Sequence, residues 1–261
     1  MSELLTEQRC AEALARQAGK MMLRGSRGGF SVDVKDENDV VTNIDREIET
    51  FITAELRQMF PDDEILGEEF GGEKAQSDKR HWLIDPIDGT LNFSYGVPLS
   101  CVSIALQDEG VSKVGVIYDP YRDELFSARS GAGATLDGVK MQVSPKPTLD
   151  NAVLVTGFRP TPSASTTDNL ANFVAVTKRS RGVRRLGSAA LDLAYVAAGR
   201  MDGFWEFGLN PWDTGAGYLL VKEAGGRVTD VREGPYSGFE PSILATNGKI
   251  HDELIELLSP S

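Results

Sequence analysis

HWLIDPIDGTLNF, residues 81–93, places two aspartates three positions apart at the end of an apolar run and follows them with Gly-Thr. Pro86 has no N–H to give a ladder, so the spacing predicts a buried strand over 81–84 that stops at Asp85. Gly89 permits a tight turn, and Thr90 sits near the start of the next element. Asp85 and Asp88 can then converge on one point with the Ile87 carbonyl between them. The N–H groups of Gly89 and Thr90 would form an anion site beside it. Hard oxygen ligands next to such a nest suit Mg²⁺ bridging to a phosphate. An Asx-type turn after a core strand fits the hexapeptide equally well, and these residues alone leave both readings open.

Spacing removes several rival motifs. An EF-hand beginning at Asp85 would need Gly at Thr90 and Glu at Gly96. A haloacid-dehalogenase-type nucleophile would have one residue between its aspartates, where two intervene here. No Gly-x-x-x-x-Gly-Lys-Ser/Thr occurs, and Gly131-Ala-Gly133 meets Leu136 where a dinucleotide loop needs its third glycine.

Composition points the same way. The 261 residues are 41% hydrophobic, enough for one large domain or two closely joined halves. Lys plus Arg number 27 against 39 Asp plus Glu, a net charge of −12. That balance disfavours unaided binding to nucleic acid or anionic lipid. It also makes a bound phosphate a problem that a cation would solve. Cys10 and Cys101 are the only cysteines, too few for a disulfide framework, so a reducing cytosol is expected. The N-terminal MSELLTEQRC has no signal-peptide pattern, and no apolar run suggests a membrane span. With only His81 and His251, His-based nucleophilic or zinc chemistry has little to draw on, and carboxylates must carry the chemistry.

Periodicity predicts helices over 3–24, from Thr42 to before Pro61, 168–178, 188–198, 214–224 and 250–258. Short β-rich runs appear near 64–66, 81–84, 99–128 (an antiparallel meander), 151–157, 201–208 and in GRVTD and SILATN. The Gly- and charge-rich stretch 25–39 reads as a mobile loop or hairpin, and 71–80 as a polar loop. The irregular alternation indicates α and β layers stacked on one another. Two prolines between Ser144 and Asp150 mark the expected seam between halves of about 1–145 and 146–261.

Other acids fall at the ends of elements. Glu68 follows the strand EIL. Asp45 completes a capping box with Thr42, and Asp213 precedes a helix as a candidate N-cap. Each has a good structural explanation alone; together they place acids at the mouths of elements rather than on solvated faces.

GEEF at 67–70, WLIDPIDGTLNF at 82–93 and NPWDTGAGYLLVKEAGG at 210–226, in that order, resemble the inositol monophosphatase family of Mg²⁺-dependent, lithium-sensitive phosphatases. The likeness extends through VTNID at 41–45. It also covers GSAALDLAYVAAGRMDGFWEFG at 187–208, which is especially similar to the bacterial inositol-1-monophosphatases. The resemblance implies a layered αβαβα sandwich, a homodimer and two to three Mg²⁺ ions. By motif, Glu68, Asp85 and the Ile87 carbonyl would hold the first metal, and Asp85, Asp88 and Asp213 the second. Glu68, aided by Asp45 through water, would support a weaker third. Gly89 and Thr90 would hold phosphate, while Ser188, Ala189, Glu206 and Asp88 would face the sugar. Thr90, hydrogen-bonded to Asp45, would orient and deprotonate the attacking water. For Glu206 an edge-strand position between Trp205 and Phe207 is the plainer alternative. Lys35 falls near a loop lysine of the family.

The substrate expected is a small phosphorylated polyol, inositol 1-phosphate first. Histidinol phosphate, fructose 1,6-bisphosphate and 3′-phosphoadenosine 5′-phosphate are the rivals. A regulatory protein-binding role is the alternative of another class. Nucleic-acid binding is weaker, resting on Lys178, Arg179, Arg181, Arg184 and Arg185, which equally suit a solvated loop or a dimer contact.

Overall fold

The computed structural model describes residues 4–36, 39–71, 79–158 and 169–258, without the side chains of residues 35, 36 and 39. The expectation for Lys35 therefore lies outside the described side chains, as Asp168 and most of the 71–80 loop lie outside the described residues.

The first half runs α1 (Leu5–Gly28), β1 (Val32–Asp36), β2 (Asp39–Thr42), α2 (Asn43–Met59), β3 (Glu64–Gly67), β4 (His81–Asp88) and α3 (Thr90–Ser94). An antiparallel series follows, β5 (Cys101–Asp108), β6 (Val111–Asp119), β7 (Glu124–Arg129), β8 (Gly133–Leu136) and β9 (Val139–Lys140). The second half contributes β10 (Val153–Thr156), α4 (Asn169–Arg179), β11 (Gly182–Arg184), α5 (Ala189–Ala197), β12 (Gly203–Phe207), α6 (Pro211–Glu223), β13 (Arg227–Thr229), β14 (Ser242–Thr246) and α7 (His251–Leu258).

Strands β3 to β9 form a seven-stranded sheet in sequence order, parallel only between β3 and β4. The second sheet has the order β11-β10-β12-β14-β13. Alternation along the large sheet divides its side chains between two cores. Trp82, Ile84, Ile104 and Val116 pack with α1 and α2, while Leu83, Ala105 and Ile117 face α5 and α6. A third core lies between the small sheet and α7. Helix pair, sheet, helix pair, sheet, helix pair is the layered α/β sandwich expected. Helix α6 lies so close to the large sheet that a Cβ on Gly115 would stand 2.7 Å from the Ala216 carbonyl oxygen. This contact brings the first turn of α6 to the end of β4.

Three boundaries differ from the sequence reading. The strand does not stop at Asp85, because β4 continues to Asp88 through a one-residue register shift between the Asp85–Ser103 and Asp88–Cys101 pairs. Pro86 falls within that bulge, where no ladder N–H is required. Helix α1 runs past Gly25 to Gly28, because Gly25 packs directly against Ile44. Helix α6 begins at Pro211 rather than Thr214, with Asn210 at the N-cap, so Asp213 stands inside the first turn and closes the capping box instead of being the N-cap residue. Strands β1 and β2 pair antiparallel, which favours the hairpin over the loop in that part of the chain.

Candidate active site

The bulge turns the chain so that Asp85 and Asp88 reach the same cavity. Gly89 then takes φ +91°, and a Cβ there would meet the carbonyl oxygens of Gly187 and Leu99 at 3.0 Å, so neither the conformation nor the space admits another residue. Asn92, in α3, donates to the carbonyls of Leu99 and Leu186 at 2.8 Å. That clamp holds α3 against the start of α5.

The cavity measures about 480 Å³. It gathers Glu68, Asp85, Ile87, Asp88, Gly89, Thr90, Ser188, Ala189, Glu206 and Asp213 from five separate segments. Of the site residues expected from sequence only Asp45 is absent from the lining. It lies one shell behind, accepting from the Thr90 hydroxyl at 3.1 Å through Oδ1. Its other oxygen, Oδ2, accepts from the Thr42 N–H at 2.9 Å and the Thr42 hydroxyl at 2.5 Å. Thr90 Oγ also stands 2.9 Å from the Ile87 carbonyl, so its one proton has two acceptors and its lone pairs remain available.

Asp88 is buried at the N-terminus of α5, where its Oδ2 accepts from Ser188 Oγ and from the Ala190 N–H, both at 2.6 Å. Ser188 is also the N-cap of α5. Glu206 projects from β12 onto Gly157, and a Cβ on that glycine would lie 2.2 Å from the carboxylate oxygens. Asp213 Oδ2 accepts from the Asn210 N–H at 2.7 Å.

Two lining residues were not read from the sequence as belonging to this site. Asp192 lies one turn beyond Ser188, lines the cavity, and carries a buried Oδ1 with no hydrogen-bond partner. Its signal was a single acid inside the otherwise apolar AALDLAYVA. Arg185, expected in a solvated loop or dimer contact, is the one cation among the described lining residues, against the carboxylates of Glu68, Asp85, Asp88, Asp192, Glu206 and Asp213.

Burial sets the protonation chemistry. It pushes Asp85 well above the usual carboxylate range, with Glu68, Asp88 and Asp213 adding repulsion. Asp213 rises well above it by burial, then by Asp88 and Glu68. Asp192 does so by burial and by Glu206 and Asp88. Burial also raises Asp88, but the Ser188 hydroxyl and the α5 amides pull it back. Asp45 is raised by burial against the opposing hydrogen bonds of Thr42 and Thr90.

Asp85 Oδ1 is buried and has no hydrogen-bond partner. A buried carboxylate oxygen with no donor, amid other acids, fits a hard divalent cation better than any protein donor present. Among the described residues no three His, Cys, Asp or Glu side chains close on one point as a finished metal cage. Mg²⁺ does not require one, because it keeps several waters and takes one or two carboxylates plus substrate oxygens. Glu68, Asp85, the Ile87 carbonyl, Asp88 and Asp213 supply oxygen donors of that kind.

A sequence model of the inositol monophosphatase family matches residues 4–261. The chain is 46% identical over 222 residues to the inositol-1-monophosphatase of Synechocystis sp., covering 85% of this chain and 77% of that protein. It is 43% identical over 255 residues to the Nus factor SuhB of Pseudomonas aeruginosa, covering 94% and 93%. The crystal structure of the extragenic suppressor protein SuhB from Bartonella henselae superposes with a TM-score of 0.90 at 39% identity, over 98% of this chain and 99% of that one.

Proposed function

The chain belongs to the inositol monophosphatase family, and from that premise we propose that it hydrolyses a small polyol phosphate, inositol 1-phosphate first, with two to three Mg²⁺ ions. The observation that carries this reading is one cavity lined by carboxylates from separate segments, among them Asp85 with its partnerless Oδ1. Glu68, Asp85, Asp88, Asp213 and the Ile87 carbonyl would hold Mg²⁺. When bound, it supplies the positive charge that admits a phosphate dianion and lowers the pKa of water.

The remaining work falls to the chain itself. Asp45 is anchored by Thr42 and turns Oδ1 to the Thr90 hydroxyl. Thr90 donates in that direction, so its lone pairs are left to the attacking water, and as Thr90 Oγ takes that water's proton its own proton passes to Asp45 Oδ1. The Gly89 and Thr90 N–H groups, at the start of α3, have no carbonyl partner within the helix and would meet the phosphate oxygens. Ser188, Ala189 and Glu206 would face the substrate hydroxyls, and Arg185, in the same lining, would add a counter-charge. No phosphoenzyme is needed, since positioning and charge neutralisation do the work.

The test is phosphate release from inositol 1-phosphate with and without Mg²⁺, beside histidinol phosphate, fructose 1,6-bisphosphate and 3′-phosphoadenosine 5′-phosphate. Metal-independent release, or preference for a rival, overturns the corresponding part of the proposal. The relatives called Nus factor SuhB support a second reading, a protein-binding role alongside hydrolysis. A partner retained by the Asp88→Asn protein would support that role, and binding that disappears with activity would count against it.

A further inference from the structure

Helix α2 presents two buried carboxylates one turn apart, Asp45 and Glu49. Asp45 serves Thr90. Glu49 reaches in the other direction, to the turn after β3, where its Oε2 accepts from the Glu69 N–H at 2.8 Å and its Oε1 from the Phe70 N–H at 2.9 Å. The carboxylate sits on Gly67, where a Cβ would lie 2.0 Å from Oε1. In the same turn, the Gly67 N–H bonds to the Gly71 carbonyl and the Glu68 N–H to the Ile84 carbonyl, both at 3.1 Å. Four consecutive amides, 67 to 70, thus have acceptors, and the last two are held by Glu49. With the backbone fixed on both sides of it, Glu68 is left with its side-chain torsions to meet the cavity.

We propose that Glu49 is a positioning residue of the metal site, clamping the 67–71 turn so that Glu68 is presented beside Asp85. This rests on the Mg²⁺-dependent reading above. Glu49 does not line the cavity and touches neither metal nor substrate. Its effect passes through backbone it holds, as outer-shell partners act on metal ligands.

Glu49→Gln keeps the size but offers one oxygen where two amides need acceptors. Gly67→Ala leaves Glu49 intact and displaces its carboxylate. In both variants the calorimetric Mg²⁺ dissociation constant, measured without substrate, should rise by roughly ten- to a hundredfold. The Mg²⁺ midpoint for phosphate release should rise in parallel, while kcat at saturating Mg²⁺ stays within about threefold of wild type, since the ligands themselves are unchanged. Faster amide exchange at Glu69 and Phe70 would report the opened clamp. A merely structural role would lower the melting temperature and leave Mg²⁺ affinity unchanged. Unchanged affinity in either folded variant overturns the proposal, as does a loss of kcat that excess Mg²⁺ fails to restore. Wild-type protein that binds no Mg²⁺ overturns the reading beneath it instead.

Discussion

Replacing Asp88 by Asn tests the charge argument with a small steric change. Asp88 Oδ2 accepts from Ser188 Oγ and the Ala190 N–H, and the amide oxygen of Asn can keep both bonds. The cap on α5 survives, and an NH₂ replaces Oδ1. Weaker hydrogen bonds to a neutral acceptor cost ~1 kcal/mol, against the gain from removing a charge that burial already opposes. A melting temperature within about 4 °C of wild type is expected for a chain of this size. Activity should respond far more. A unit charge acting over ~4 Å at an effective dielectric of ~20 is worth ~4 kcal/mol. At ~1.4 kcal/mol per decade of rate, that is about a thousandfold in turnover. The assay is phosphate release from inositol 1-phosphate at saturating Mg²⁺, with circular dichroism to confirm the fold. Turnover within about tenfold of wild type, in a folded variant, would refute the claim that Asp88 acts through its charge.

Thr90→Ala should lower kcat by roughly a hundred- to a thousandfold while KM moves little, because the hydroxyl handles a proton; equal effects on both would assign Thr90 to binding instead. Gly157→Ala pushes on the Glu206 carboxylate and should raise KM for inositol 1-phosphate by roughly tenfold or more. An aryl phosphate without ring hydroxyls should be unaffected, and a parallel rise for both would remove Glu206 from polyol recognition. His251 is buried between the Thr229 and Thr246 hydroxyls, and burial pushes its pKa down to about 4. Its folded value lies below the unfolded ~6.5, so this stabilisation is complete above pH ~6.5 and is lost as pH falls toward 4, roughly 3 kcal/mol in all. Thermal melts at pH 7.5 and 5 should show His251→Gln losing less stability on acidification than wild type; identical slopes would rule out His251 as the source.

Much of the fold was legible because single residues carry local instructions. Thr42 and Ser188 announced helix starts where α2 and α5 begin, and the short runs over 99–128 pair as an antiparallel meander. The misread boundaries were set by partners distant in sequence. Gly25 stays helical because Ile44 covers it, and Pro86 is accommodated because β5 offers one residue fewer opposite the bulge. The start of α6 was different, since Pro211 at the first helical position was a readable signal. Strand order in the small sheet, where β12 separates β10 from β14, has no local signature at all. The same limit applies to the site. Arg185 belongs to a basic run that looks solvated, and Asp192 to a helix that looks purely structural; only packing brings them to the cavity.

The acids at the ends of elements posed a choice between capping and catalysis, and the atoms show why the choice was ill-posed. A carboxylate has two oxygens. Asp45 gives Oδ2 to the capping box and Oδ1 to Thr90. Asp88 gives Oδ2 to the start of α5, and Asp213 gives Oδ2 to the Asn210 amide in the first turn of α6. Each cap fixes the torsions of a side chain whose second oxygen is directed elsewhere, so the structural bond pre-organises the functional atom. Helix N-termini also carry partial positive charge, which lets buried carboxylates gather there at lower cost than in a strand. Asp85 is the exception that gives the arrangement its chemistry. It stands in β4 rather than in the first turn of a helix, and its Oδ1 has no donor. Among these acids it depends most on a cation. Asp85→Asn should therefore weaken Mg²⁺ binding more than Asp88→Asn or Asp213→Asn, and the reverse order, measured calorimetrically on folded variants, would refute this ranking.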